Sequence, residues 1–310
     1  MKISVIIPTY NGAKRIVNLL EALESQTYKD FETIIVIDGS TDQTKEVLSK
    51  RETTLSSIQV VDQPNKGRAG ARNTGIKQAK GEIILFFDDD IRPNPRCIEQ
   101  HLRFHQQRKN SILVGACIHG NSSQKLIDKY RAYTENIWSN KEGYSEKKEI
   151  QISKDQIIFT TQNLSIPAHI FEEAFYFNEN LTDSEDFELC VRLLNQNFPI
   201  FFNQNAYGYH DDYKSLQEYI HRQREYLIAR KALALDKPEY VKLYPKQFER
   251  VTSKISPSKL AISRFFEYNR LWEGLVHSKF LTTTFSEKYI YKLIDTIIFA
   301  STTCYISRKT

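Results

Sequence analysis

The chain has 310 residues, 40% hydrophobic and 26% charged, enough apolar material for a large core and no disordered bias. Its formal charge of +5, with 38 acidic among 43 basic residues, is too mixed to point to nucleic acid as a partner. Cys97, Cys117, Cys190 and Cys304 lie far apart without a CxxC pair, which disfavours a zinc site or disulfide framework and fits a reduced, cytoplasmic setting.

Short β-branched or aromatic runs open the chain: "ISVIIP", "FETIIVID", "SIQVVD", "EIILFFD" and "SILVGACI". Such runs read as strands buried on both faces. Between them, 13–25, 42–50, 68–79 and 95–107 carry helical periodicity. This alternation predicts an α/β fold with a Rossmann-like, mostly parallel central sheet flanked by helices. Ligands of such sheets bind at the carboxyl ends of strands. Three polar clusters fall there: "PTYNG" after the first strand, "DGSTD" after the second and "DDD" after the fourth.

Further on, 125–139 reads as helix and 140–155 as an exposed charged loop. A strand-like "QIIFTTQNLSIP", a helix over 184–196 and a last strand, "FPIFFN", running into "AYGYHDDY", follow. The remainder is helix-rich, with amphipathic stretches at 216–235 and 288–305. The first expectation for these is packing on the catalytic part or a homodimer partner; a membrane-surface helix is the alternative. No run approaches the 18 or so apolar residues that a spanning helix needs.

Asp88, Asp89 and Asp90 are three like charges at a strand end, where an isolated triplet would be a solvated turn. Hard oxygen ligands suit Mg²⁺ or Mn²⁺. On extended backbone Asp88 and Asp90 face one way and Asp89 the other.

In order and spacing, "SVIIPTYN", "VIDGSTDQT", "GRAGARNTG", "FFDDDIRPNP" and "EDFELCVRLL" resemble the inverting family 2 glycosyltransferases of GT-A fold. The resemblance spans about two-thirds of the chain. It implies a catalytic domain over 1–212, its nucleotide-sugar half 1–120 and acceptor half 121–212; the helix-rich region over 213–310 lies beyond it. It implies transfer of a sugar from a nucleotide-diphosphate donor, with uridine favoured, to a hydroxyl of a glycan or lipid-linked acceptor in surface or extracellular glycan synthesis. The triplet becomes a DxD motif, with Asp88 and Asp89 at the donor and Asp90 on a divalent metal, Mn²⁺ or Mg²⁺. Pro8, Thr9, Tyr10, Asp38 and Arg72 would line the nucleotide-sugar site, Tyr10 against the base and Asp38 on a base N–H.

Asp186 corresponds to the catalytic base, with Glu185 on the acceptor side beside it. As first-turn carboxylates the two should matter about equally to stability. His210 would complete the metal site, and Asn163 would face the acceptor. Arg68 reads as a surface charge, and Glu188 with Arg192 as an i, i+4 pair. Two rivals stand beside this reading. A sugar-phosphate nucleotidyltransferase would want a basic glycine-rich loop after "SVIIP", and a dead scaffold would have no need of Asp88, Asp90 and Asp186.

Overall fold

The computed structural model describes residues 2–119, 125–140, 149–154, 157–212 and 214–309, with side chains up to 134 and again from 149 to 308 within those spans. Contacts divide the chain into two compact units, Met1–Gly120 with Glu135–Asp212, and Asn121–Thr134 with Tyr213–Thr310. Residues 121–134 thus group with the C-terminal helices and not with the acceptor half, where the sequence reading put them.

In the first unit the elements are β1 (Ile3–Thr9), α1 (Ile16–Glu24), β2 (Phe31–Asp38), α2 (Thr44–Lys50), β3 (Ile58–Gln63), α3 (Gly67–Gln78), β4 (Ile83–Phe87), β5 (Ile91–Pro93), α4 (Cys97–Gln107) and β6 (Ile112–His119). After α5 (Leu126–Asn140) come β7 (Glu149–Gln151), β8 (Asn163–Pro167), α6 (Ala168–Glu173), α7 (Glu185–Asn195) and β9 (Ile200–His210). Much of the loop expected over 140–155 lies outside the described residues; within it β7 is a strand paired with β9.

The sheet has nine strands in the order β3-β2-β1-β4-β8-β6-β9-β5, with β7 also on β9. β1, β2, β3, β4, β6 and β9 point one way, while β5, β7 and β8 run against them. The fold is therefore α/β with a mostly parallel sheet, as expected. β8 enters antiparallel between β4 and β6, a placement that chain order alone does not predict.

Period-two alternation divides each central strand between two cores. Ile3, Val5 and Ile7 of β1 join Ile83, Leu85 and Phe87 of β4 on the face covered by α1 and α4. Ile6, Ile84 and Phe86 face the other way, against α3, α6 and α7. α1 fits because Ile16, Leu19, Leu20 and Leu23 form one stripe at i, i+3, i+4 and i+7. β3 departs from expectation. It is the sheet edge, with Ile58 and Val60 exposed, because it has a neighbour on one side only.

The second unit is helical: α8 (Leu216–Asp236), α9 (Pro238–Leu243), α10 (Pro245–Thr252), α11 (Pro257–Phe266), α12 (Arg270–Val276), α13 (Lys279–Thr284) and α14 (Glu287–Lys309). Ile290, Ile294, Ile297 and Ile298 of α14 are buried against Leu216, Ile220, Trp272, Ile127 and Tyr130. α14 is the spine of this unit, and its apolar stripe is consumed by packing. The stripe expected to meet a partner or a membrane surface is thus turned inward.

Candidate active site

Strands that share a direction deliver their carboxyl ends to one rim. Thr9, Asp38, the triplet after Phe87, His119 and His210 all stand there. β8 starts at the same edge, with Asn163 paired to Phe87.

The triplet splits three ways, with Asp89 turned inward. Its Oδ2 accepts from the Thr9 hydroxyl at 2.6 Å, and both carboxylate oxygens accept from Arg15 at 3.0 Å. Gly12 permits this approach: a Cβ there would lie 2.1 Å from Thr9 Oγ1 and 2.4 Å from Asp89 Oδ2. The side chains of Thr9 and Asp89 are thus a clamp between β1 and the triplet, correcting their assignment to the sugar-nucleotide surface. Burial pushes the Asp89 carboxyl up, and Arg15 and Thr9 oppose the shift.

Asp88 accepts from Arg72 Nη2 at 2.9 Å, while Arg72 Nη1 donates to Glu185 at 2.6 Å. Arg72 and Glu185 are both buried. Burial alone would lower the arginine's pKa, but its two carboxylates outweigh that and raise it. Arg72 therefore joins the strand end at β4 to the first turn of α7. The expectation that Glu185 faces the acceptor gives way to this buried pair.

Asp186 follows on α7, half-buried, its Oδ1 accepting from Phe187 N at 2.6 Å. Ser184, just before the helix, sits at φ 63°, a left-handed backbone that costs energy for a non-glycine residue. Desolvation first, and the neighbouring Glu185 charge second, push the Asp186 carboxyl up to about 7. At neutral pH such a group exchanges a proton readily, as a general base must.

On the far side of the triplet, Asp90 Oδ2 lies 3.6 Å from His210 Nε2. His210 ends β9, paired with Ile91 on one side and His119 on the other, instead of following the strand. The His119 and His210 rings stand perpendicular, centroids 6.4 Å apart. Among the described residues no three His, Cys, Asp or Glu side chains gather as a metal-binding group. One carboxylate and one imidazole fit an ion that draws its other ligands from diphosphate and water. Sequence reasoning passed over His119, although a histidine at a predicted strand end was visible.

Asp38 is buried, its Oδ1 accepting from Gln63 Nε2 at 2.7 Å and Lys66 N at 2.8 Å. Pro8 is half-buried, and Tyr10, next to Thr9, is 50% exposed, leaving its ring open to solvent. Arg68 lies 3.8 Å from Asp183 and remains largely exposed. Glu188 and Arg192 form the expected pair at 2.8 Å, and Arg192 also donates to the carbonyl of Tyr176 at 2.7 Å.

Asn163 cannot face an acceptor. It is fully buried; its Nδ2 donates to the carbonyls of Ala116 and Ala206 at 3.1 and 2.9 Å, and its Oδ1 accepts from His101 Nε2 at 2.8 Å. Those carbonyls flank the place where β6 and β9 change register, between Gly115 and Ala116. The amide satisfies backbone groups that the bulge leaves unpaired. Nothing local in "TQNLSIP" distinguishes this use from an exposed one.

A mostly parallel sheet with its carboxylates gathered at one rim is the architecture of a GT-A glycosyltransferase, and sequence comparison fixes the family. Residues 4–167 match the model of glycosyl transferase family 2, and the chain belongs to that family. It is 29% identical over 217 residues to the poly(ribitol-phosphate) β-N-acetylglucosaminyltransferase TarS of Staphylococcus aureus, covering 67% of this chain and 35% of TarS. It is 27% identical over 213 residues to the glycosyltransferase AglE of Haloferax volcanii, covering 67% and 66%. The chain thus matches about a third of TarS. Among solved structures, TarS 1–349 with UDP-GlcNAc superimposes with a TM-score of 0.55 at 20% identity, covering 100% of this chain and 92% of that one. A mannosyltransferase from Pyrobaculum calidifontis, in complex with GDP-Man and Mn²⁺, gives 0.64 at 16%, covering 97% and 86%. At these identities the structural likeness speaks for the fold.

Proposed function

We propose that this glycosyltransferase is metal-dependent and inverting, and that it moves a sugar from a uridine diphosphate sugar to an acceptor hydroxyl. One observation carries the reading. In the first turn of α7, Asp186 holds a carboxyl near neutrality, immediately beside the Glu185–Arg72–Asp88 bridge that ties this helix to the triplet.

Asp186 takes the proton of the acceptor hydroxyl as that oxygen bonds to the anomeric carbon from the side opposite the diphosphate. The bond from that carbon to the diphosphate oxygen breaks and its electron pair leaves with the phosphate, so the configuration inverts. Asp88, held by Arg72, borders the donor. Asp38, with Oδ1 already accepting two bonds, has Oδ2 for a base N–H, and the exposed Tyr10 ring offers a stacking face. Asp90 and His210 would hold the Mn²⁺ or Mg²⁺, which neutralises charge on the departing diphosphate when bound. The UDP-GlcNAc complex of TarS supports uridine, while the GDP-Man and Mn²⁺ complex of the mannosyltransferase supports a metal and keeps guanosine as the competitor. The name of TarS, a poly(ribitol-phosphate) β-N-acetylglucosaminyltransferase, favours a glycan or polyol-phosphate acceptor.

The test is a screen of nucleotide sugars for nucleoside diphosphate release with Mn²⁺, with Mg²⁺ and with chelator. Release from one uridine diphosphate sugar, abolished by chelator and by Asp90→Ala, is expected. Undiminished release in chelator removes the metal; release from guanosine donors alone removes the uridine assignment.

A further inference from the structure

Charge is divided unevenly along the chain. Residues 213–310 hold 18 Lys and Arg against nine Asp and Glu, a net +9, whereas 1–212 is net −4, leaving +5 overall. Part of this excess gathers on one face of the second unit, around α10, α11 and α14. A cavity of about 180 Å³ is lined there by Arg250, Ser253, Lys254, Lys259, Phe299 and Thr302, with Glu249 as its one carboxylate. Arg250 donates to the Thr302 hydroxyl at 2.6 Å, and its guanidinium carbon lies 5.1 Å from the Phe299 ring centre. Lys259 Nζ is 5.0 Å from the same centre. Among the described residues, Arg250, Lys254 and Lys259 enter no ion pair. Desolvation pulls the Arg250 pKa below its ordinary value.

A second cavity, of about 230 Å³, adjoins the first, sharing Lys259 and Phe299. Ile262, Phe266 and Ala300 make its lining apolar. On α11, Ile262 and Phe265 are 63% and 68% exposed, where a soluble surface normally places polar residues. One face thus joins three cations and a single carboxylate to an open apolar slot. A ligand that meets both demands is an amphiphile with a phosphate head.

We propose that this α11 face binds the surface of a membrane carrying anionic phospholipid, with phosphate at Arg250, Lys254 and Lys259 and with Ile262 and Phe265 entering the acyl boundary. The contact is peripheral, since no helix among the described residues is long and apolar enough to cross a membrane. It does not depend on the sugar-transfer reading and can be measured without activity.

The full chain is sedimented with vesicles of phosphatidylcholine alone, and of phosphatidylcholine mixed with phosphatidylglycerol. Binding to the mixed vesicles only is expected. Each cation near such a surface is worth about 1 kcal/mol, so Lys254→Gln with Lys259→Gln should weaken binding about 30-fold. Ile262→Asp with Phe265→Asp should weaken it at least as much; all four positions are exposed, and unchanged melting confirms that the variants fold. Four results would overturn the proposal: no vesicle binding, equal binding to neutral vesicles, loss with the lysine pair but not the apolar pair, or vesicle indifference with a dimer that the apolar pair abolishes. The third would mean a soluble polyanion, and the fourth a second copy of this chain.

Discussion

Arg72 and Glu185 are 113 residues apart and meet as a buried ion pair at 2.6 Å, so α3 and the first turn of α7 are fastened by one bond. Glu185 is therefore not the bystander that helix-dipole reasoning makes it. Glu185→Gln leaves a buried guanidinium with Asp88 as its remaining charged partner. Loss of one charged hydrogen bond predicts about 1.5–3 kcal/mol of stability, read as a lower urea midpoint. A change within error would show that Arg72 does not need Glu185.

Asp186 should behave in the opposite sense. Its folded pKa, about 7, lies above the ordinary carboxylate value, so the folded state binds more protons between roughly pH 4 and 7. Stability from this group falls as pH rises through that window. Asp186→Asn should melt higher than the parent at pH 8, and the gap should close near pH 4. Transfer should drop about 10²–10⁴-fold while nucleotide binding persists. In the parent, kcat/KM should rise with pH and level off above about 7; the variant should lack that limb. Near-native turnover in Asp186→Asn would place the base elsewhere.

The rim was legible in the sequence because the first, second and fourth strands each end in a polar cluster. Alternation along the triplet also set Asp89 apart from Asp88 and Asp90. What each carboxylate turns toward was not legible: Thr9 and Arg15 lie 80 and 74 positions from Asp89, brought near only by the pairing of β1 with β4. Asn163 was misread for a related reason. Its partners are backbone carbonyls at a bulge between β6 and β9, and no spacing rule announces a bulge. His210 reaches the rim because a residue closing a strand does so whichever neighbour pairs with it.

The clamp at Asp89 reverses the ranking that an outward-facing middle aspartate would give. Asp89→Ala removes the buried acceptor of Thr9 and the carboxylate that pairs with the partly exposed Arg15, and should cost about 2–4 kcal/mol, the Thr9 bond at about 1.5–3 and the solvent-screened Arg15 pair at about 1 or less. Asp90→Ala should leave the urea midpoint nearly unchanged and abolish transfer. Equal midpoints for the two variants would contradict the clamp. Thr9→Val, which deletes one bond only, should fall between them.

The buried polar chain behind the rim makes the fold sensitive to acid. His101 Nε2–H donates to Asn163 Oδ1, so its Nδ1 is the acceptor of the Ser165 hydroxyl, 2.7 Å away. Ser165 Oγ is then left to accept from His105 Nε2–H, also at 2.7 Å. Every proton in the chain is thereby assigned with both rings neutral, and a second proton would have to enter a buried site. Desolvation lowers His101 to about 4 and His105 to about 3, the His101 charge adding to the effect on His105. Both folded pKa values lie below the ordinary 6.5, so the unfolded chain takes up protons first as pH falls. The stability that the neutral rings contribute is complete above pH 6.5 or so and is lost on acidification toward pH 4. With both histidines acting, the loss approaches about 2.7 kcal/mol per pH unit. Asp186 works the other way in this range, so the measurement is a difference: urea midpoints at pH 7 and pH 5 for the parent and for His105→Leu. Asp186 cancels between the two proteins, and the variant should lose about half as much as the parent attributes to its histidine pair. Parallel pH dependence in parent and variant would mean that His105 is not held neutral by the fold.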